Sequence, residues 1–173
     1  MPSSHTLSAP RQPSVLSAIF LTGIIAGSLD LAAAYLVYGI ILGNTAFASM
    51  VQFIASGVFG NKAFAGGVDM LVYGLLFHYA IAVAFTAFFF FLCNHLVLLQ
   101  HHTVIGGLLY GIFVWIVMNI VVLPRSNAPA APFQWRNASI AMSILMVFVG
   151  LPIAIMASRY YFSREANDME EEV

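Results

Sequence analysis

The sequence predicts an all-α membrane protein with four transmembrane helices and one amphipathic interfacial helix between the first and the second. The chain has 173 residues, of which 61% are hydrophobic and only 8% are charged, whereas a soluble domain carries about 25% charged residues. Four apolar stretches reach the roughly 20 residues that a bilayer crossing needs. These stretches are helices, because an open sheet edge cannot exist in lipid.

The chain divides into three parts. Residues 1–14 are polar and rich in proline and serine, which predicts a disordered segment. The bundle covers 15–161, and its spans lie at about 15–42, 66–93, 103–123 and 137–160. The first span is too long for the apolar region of a secretory signal and is expected to be an uncleaved anchor. Residues 162–173 form an acidic, solvated C-terminal tail.

The stretch at about 45–60 is shorter than the spans and patterned differently. Apolar residues such as Phe47, Met50 and Ile54 recur at helical spacing, with polar Ser49 and Gln52 among them. This pattern predicts an amphipathic helix in the membrane interface or a short re-entrant helix. A plain loop is the alternative.

Two ionisable residues, Asp30 and His78, lie deep within the first two spans. By the rise of a helix, each lies about 18 Å from the end of its span on the same side of the membrane. The two side chains are therefore expected at similar depth on facing helices. Ionisable groups at this depth are costly, so each needs a partner, a cavity or a function.

Two functions for this pair remain open. The first is a transport, channel-like or ligand-binding component that uses Asp30 and His78. The second is a structural or accessory membrane subunit, in which buried polar residues only fix the packing of the helices. No catalytic constellation is visible in the sequence, so an enzymatic function is the less favoured third possibility.

Small residues mark the expected helix contacts. Gly23 and Gly27 form one GxxxG motif, and Gly107 and Gly111 form another. Glycines at this spacing allow the backbones of neighbouring helices to approach closely. The contacts could lie within one chain or between copies of it, so a homo-oligomer and a membrane partner subunit both remain open.

A second polar cluster is expected at the membrane face that carries the shorter helix. Asp69, Asn119 and Arg125 all lie within about two helical turns of that face. An ion pair between Asp69 and Arg125 would tie two spans together. Two separately solvated charges are the alternative.

Metal and cofactor sites are not expected. The single cysteine, Cys93, excludes an internal disulfide and a cysteine-based metal site. His95, His101 and His102 lie near one membrane face without a neighbouring carboxylate, which favours solvated histidines. The net charge of −1 gives no indication of nucleic-acid binding. The lipid bilayer is the expected surrounding.

Three stretches together resemble a group of bacterial four-helix inner-membrane proteins that has no assigned activity. They are Gly23 to Asp30, Ile54 to Gly57, and Leu109 to Pro124. The resemblance covers most of residues 19–160. It implies the same helix plan and a location in the bacterial inner membrane, but it supplies no functional residues.

The orientation in the membrane is not decided by charge. Three basic residues fall on each side of the predicted bundle, so the positive-inside rule favours neither arrangement. An even number of spans places both termini on one side. Since no cleavable signal exports the N-terminus, both termini are expected in the cytoplasm.

Overall fold

A computed structural model describes residues 14–96, 99, 101–130 and 132–171, with side chains described as far as residue 164. The predicted disordered segment therefore lies outside the described residues, apart from Ser14. The described chain is helical and contains no strand. Four of its helices are long and apolar enough to span a membrane, and a shorter apolar helix lies between the first and second. The predicted fold class is confirmed.

Six helices follow one another along the described chain. The four long helices are α1 (Val15–Ile41), α4 (Val68–His95), α5 (Thr103–Arg125) and α6, whose candidate span is Trp135–Arg164. Between α1 and α4 lie the shorter α2 (Phe47–Phe59) and the single-turn α3 (Lys62–Ala65). Gly60 ends α2 with a φ of 61°, a left-handed conformation that glycine adopts without a steric penalty.

The ends of the helices differ from the predicted limits in two places. The short helix α3 was not predicted; it makes a turn between Gly60 and Gly66. The last helix continues past the predicted limit near residue 160. Its final segment runs from Leu151 to Glu171. No proline or glycine follows Tyr160 in this stretch, so nothing in the local sequence stops the helix.

Large apolar side chains cover the outer surface of the bundle. Leu76, Leu109 and Ile120 are each about 60% exposed, at 60%, 60% and 62%. In the run of four phenylalanines, Phe89 and Phe90 are buried, whereas Phe88 and Phe91 are exposed one helical turn apart. An apolar surface of this kind is soluble in lipid rather than in water, which supports a multi-pass membrane protein.

Glycines lie at the closest helix contacts. A Cβ atom on Gly23 would lie 2.8 Å from the Val83 side chain, and one on Gly27 would lie 3.0 Å from Ala82, so α1 packs tightly on α4. On the other side of the bundle, a Cβ on Gly107 would lie 2.9 Å from the Gly150 carbonyl oxygen. Glycine is therefore what allows α5 and α6 to approach.

The shorter helix α2 packs against α4 rather than standing apart from the bundle. Val51, Ala55 and Ser56 are fully buried. A Cβ on Gly74 would collide with the backbone carbonyl and the side chain of Val51. Since Gly74 lies about 9 Å into α4 by the helical rise, α2 enters the bundle to some depth.

Three of the four long helices contain a π-helical segment. These segments are Tyr35–Ile41 in α1, Val117–Val122 in α5 and Leu145–Gly150 in α6. A π-helix forms hydrogen bonds from residue i to i+5, is rare, and occurs mostly as a single widened turn in an α-helix. The segments in α1 and α5 lie toward the face that carries α2, whereas the segment in α6 packs beside Gly107 and Gly111 of α5.

The other half of the bundle holds the main apolar core. Its buried side chains come from α1, α4, α5 and α6 and include Ala26, Phe89, Phe90, Cys93 and Ile153. Aromatic contacts join α4 to α5, with Phe89 and Tyr110 at a centroid distance of 4.7 Å. The Tyr161 hydroxyl of α6 donates to the Phe90 carbonyl oxygen at 2.9 Å. Buried side chains from all four long helices therefore pack together in this half of the bundle.

Candidate functional site

A cleft of about 340 Å³ lies between the four long helices and α2. Its volume falls within the range of about 300–1,000 Å³ that is typical of small-molecule sites. Its inner end borders the apolar core: Val114 and Val149 line the cleft and are also members of the core. The wall is formed by Gly27, Asp30, Ala34, Tyr38, Phe53, Ile54, His78, Ile81, Ala82, Phe85, Val114, Trp115, Met118, Asn119, Ala141, Ile144, Leu145 and Val149.

A wider space of about 540 Å³ continues from the cleft toward the membrane face that carries α2. The two spaces share Asp30, Tyr38, Trp115 and Asn119 among their lining residues. The outer space is also lined by Ser49 and Gln134 and by the chain that precedes α6. The two spaces therefore adjoin, and the inner one borders the apolar core at Val114 and Val149.

Asp30 is the one carboxylate among the lining residues of both spaces. Its helix turns it inward, because Gly27, one turn earlier, lies against α4. The carboxylate interacts electrostatically with His78. Within the described chain it forms no hydrogen bond or ion pair. A carboxylate at bilayer depth without such a bond is costly to keep charged.

His78 lies on the same cleft but has a different hydrogen-bond partner. Its Nε2–H donates to the carbonyl oxygen of Gly27 at 2.8 Å. The ring also contacts Tyr79 edge to face, at a centroid distance of 5.4 Å. The structure thus brings Asp30 and His78 to one cleft, while the direct hydrogen bond of the imidazole goes to the backbone between α1 and α4.

Aromatic side chains line much of the cleft. The Tyr38 hydroxyl donates to the carbonyl oxygen of Asn137 at 3.0 Å and so links α1 to α6. Trp115 lines both the cleft and the outer space. Its buried indole Nε1 has no hydrogen-bond partner among the described residues. Phe53 and Phe85 complete this aromatic wall.

The expected outer-face cluster is not assembled. Asp69 and Arg125 are both exposed, and no ion pair joins them in the part of the chain that the structure describes. Arg125 donates instead to the carbonyl oxygen of Val121 at 3.1 Å. Asn119 lines the cleft, where its side-chain amide donates to the Trp115 carbonyl oxygen at 2.9 Å. Asn119 thus belongs with Asp30 rather than with Asp69.

The chain that connects α5 to α6 is tied to α2. The backbone N–H of Asn127 donates to the Gly57 carbonyl oxygen at 2.9 Å, and its side-chain amide donates to the Val58 carbonyl oxygen at 2.9 Å. These bonds satisfy carbonyl groups at the end of α2 that the helix itself leaves without a donor. They hold the connection beside the opening of the cleft.

No metal site is formed by the other described histidines or by the cysteine. Among the described residues, no group of three or more His, Cys, Asp or Glu side chains could hold a metal ion. Cys93 is fully buried in the core. His95 packs on Phe91 and His101 on Phe162, at centroid distances of 4.5 and 5.8 Å.

Sequence reasoning missed two side chains of the cleft, Tyr38 and Trp115. Both are aromatic residues within apolar spans, where a position facing lipid is equally compatible with the sequence. A clue to Tyr38 is its place two turns after Asp30, on the same helical stripe. No comparable clue marks Trp115.

Comparison of the chain with protein families, with curated proteins and with solved structures finds no match. The resemblance to bacterial four-helix inner-membrane proteins therefore stays a prediction from the sequence motifs. The fold and the cleft define a class: a multi-pass, all-helical membrane protein with a largely apolar cleft between its helices that contains one carboxylate.

Proposed function

We propose that this protein is a ligand-binding membrane protein of the transport or channel-like type, and that its site is the cleft around Asp30 and His78. The position of Asp30 is the observation that carries the proposal. Its carboxylate lines an open cleft, and no described residue forms a hydrogen bond or ion pair with it. An ionisable group at bilayer depth that faces a cavity is typical of substrate and ion pathways.

The π-helical segments support the same proposal. Tyr38, Asn119 and Val149 each lie in one of these segments and line the cleft. A π turn costs helical regularity and is frequent at functional sites. All three π segments contribute residues to the same cleft.

A structural or accessory subunit is the second candidate function. The hydrogen bond from His78 to the Gly27 carbonyl oxygen favours it, because this bond links two helices without any ligand. In that case Asp30 would contribute only to helix packing, and the cleft would stay closed to solutes.

The proposed setting is the bacterial inner membrane, with both termini in the cytoplasm. The four apolar spans support a bilayer location, and an even span count supports termini on the same side. The exposed apolar surface is in contact with lipid and leaves room for a second copy or a partner subunit.

Thiol accessibility tests the proposed cleft without knowledge of its ligand. Ala141 lines both the cleft and the outer space. Ala154 is fully buried in the core and serves as the matched position. In sealed vesicles, we expect a membrane-impermeant methanethiosulfonate to modify Ala141→Cys from the side that carries α2. The native Cys93 stays in place as an internal reference, since it is fully buried.

Two outcomes separate the candidate functions. Fast modification of Ala141→Cys from one side only, with Ala154→Cys and the native chain unmodified, supports an open site. If Ala141→Cys is as unreactive as Ala154→Cys from both sides, the cleft is sealed and the structural function is the better account.

A further inference from the structure

We infer that the cleft binds an organic ammonium ion, meaning an apolar molecule that carries a single positively charged nitrogen, with that nitrogen at Asp30. This inference rests on the proposed function and specifies its ligand.

The charge of the ligand follows from the charges on the wall. Among the described residues, Asp30 is the only carboxylate that lines the cleft, and no arginine or lysine of this part of the chain lines it. A buried carboxylate is stable when an opposite charge or hydrogen-bond donors compensate it. The described residues supply the electrostatic contact with His78 but no donor to the carboxylate. A ligand with an N–H donor and a positive charge supplies both.

The described hydrogen bond of the His78 ring goes to the backbone and not to Asp30. Its Nε2–H donates to the Gly27 carbonyl oxygen, and among the described residues no hydrogen bond joins the ring to the Asp30 carboxylate. An added cation compensates the carboxylate and leaves the bond between the helices intact.

A divalent metal ion does not fit this site. Calcium takes about six to eight oxygen ligands, and magnesium needs an octahedral set. Around Asp30 the other lining side chains are apolar or aromatic, apart from Tyr38, His78 and Asn119. The described residues contain no cluster of acidic or histidine side chains that could hold a metal ion.

The walls fit an apolar body with a cationic end. Tyr38, Phe53 and Trp115 line both the cleft and the outer space, as Asp30 does. Aromatic faces attract a cation within about 6 Å of the ring centre. Apart from His78 and Asn119, the rest of the cleft wall is apolar, which stabilises a hydrocarbon body and offers few polar groups to hydrogen-bond a sugar.

The test uses Trp115 as the reporter. The chain has two tryptophans, and Trp135 is 81% exposed, so Trp135→Phe leaves Trp115 as the only indole. This protein is placed in nanodiscs of phosphatidylglycerol, a lipid without an amine. Its fluorescence is then titrated with three probes of matched size: phenylbutylamine, phenylbutanol and phenylbutyrate.

We expect a saturable change in Trp115 fluorescence with the amine, and weaker or no saturable change with the alcohol and the acid. Asp30→Asn should weaken amine binding about tenfold or more, because it removes the charge that pairs with the ammonium group. Asp69→Asn is the matched control: it removes an exposed carboxylate outside the cleft and should leave the affinity unchanged.

The ammonium group could belong to a free amine or to a lipid headgroup. Addition of phosphatidylethanolamine to the nanodiscs distinguishes the two sources. If this lipid occupies the cleft, Trp115 fluorescence changes before any probe is added and the amine binds more weakly. If both are unchanged, the ligand is a free amine.

The inference is overturned if the amine binds no better than the alcohol, or if Asp30→Asn binds the amine as well as the native side chain does. If Ala141→Cys reacts with the thiol reagent but the protein shows no preference for the amine, the proposed function stands and the inferred ligand class is wrong. If Ala141→Cys does not react with the thiol reagent, both the proposed function and the inferred ligand class are wrong.

Discussion

The Nε2–H of His78 donates a hydrogen bond to the carbonyl oxygen of Gly27 across the contact between α4 and α1, at 2.8 Å. The bond forms where α1 has no side chain: a Cβ on Gly27 would lie 3.0 Å from the Ala82 Cβ and 3.2 Å from the Tyr79 ring. Close approach of the backbones brings the carbonyl group within reach of the imidazole. The glycine motif and the buried histidine therefore belong to a single contact, and Asp30 stays open to the cleft beside it.

Gly27→Leu should destabilise the folded protein by about 1–3 kcal/mol, because the added side chain overpacks the contact with α4. Thermal unfolding in detergent measures the effect. Ala32→Leu is the control, since Ala32 is on the same helix with an exposed side chain and should tolerate leucine. Equal unfolding temperatures for the two variants would contradict close packing at Gly27.

Gly74→Ala should separate α2 from α4, because a Cβ at this position meets the Val51 backbone and side chain. We expect a loss of about 1–3 kcal/mol by overpacking and faster hydrogen exchange in α2. Gly106→Ala is the matched change on α5, where the nearest atom would be 3.7 Å away. It should be neutral or stabilise by up to about 1 kcal/mol, because alanine favours a helix over glycine. If both variants change the stability of the folded protein in the same direction, this packing of α2 is contradicted.

His78→Ala and Asp30→Asn should differ in their effect on stability. The histidine variant loses the hydrogen bond to Gly27, which is worth about 0.5–1.5 kcal/mol. The aspartate variant loses a charge that has no hydrogen bond to a described residue, so we expect a change within about 0.5 kcal/mol in chemical denaturation. If Asp30→Asn costs as much as His78→Ala, the carboxylate is a structural group, and the proposed site is wrong.

Both termini should lie on the cytoplasmic side, because four spans return the chain to the side on which it starts. Reporter proteins fused at Ser3 and after the last helix test this arrangement in cells. A third fusion at Lys62, in α3 between the first two spans, should give the opposite signal. Cytoplasmic signals at both Ser3 and Lys62 would mean that α2 crosses the membrane and that the number of spans is not four, whereas a cytoplasmic signal at Lys62 alone would mean that the orientation is reversed.

The spans and the short helix could be predicted because hydrophobic length and helical spacing are properties of the sequence alone. The same rules do not locate helix ends: α6 continues to Glu171 because no residue in that stretch stops it. The sequence also cannot identify the acceptor for His78, since a backbone carbonyl is present at every residue. The helix contact at Gly27 selects which carbonyl it is.

Polar residues near the membrane face were the least predictable part of the site. Asp69, Asn119 and Arg125 lie at similar depth by the helical rise, but depth does not give the direction in which each side chain points. Arg125 bonds its own helix at Val121, and Asn119 lines the cleft. The rotation of α5 that turns Asn119 toward the cleft coincides with its π segment, which the pattern of apolar residues does not reveal.

Each π segment can be understood as an α-helix that holds one surplus residue, accommodated by a bulge while the helix on both sides keeps its orientation. The wall of the cleft at Tyr38, Asn119 and Val149 is thus formed where the chain has an extra residue. Removal of one residue from such a segment would restore a regular helix and leave the flanking turns facing the same neighbours. In this bundle, the shape of the cavity can therefore change by single-residue insertion or deletion without rebuilding the scaffold that surrounds it.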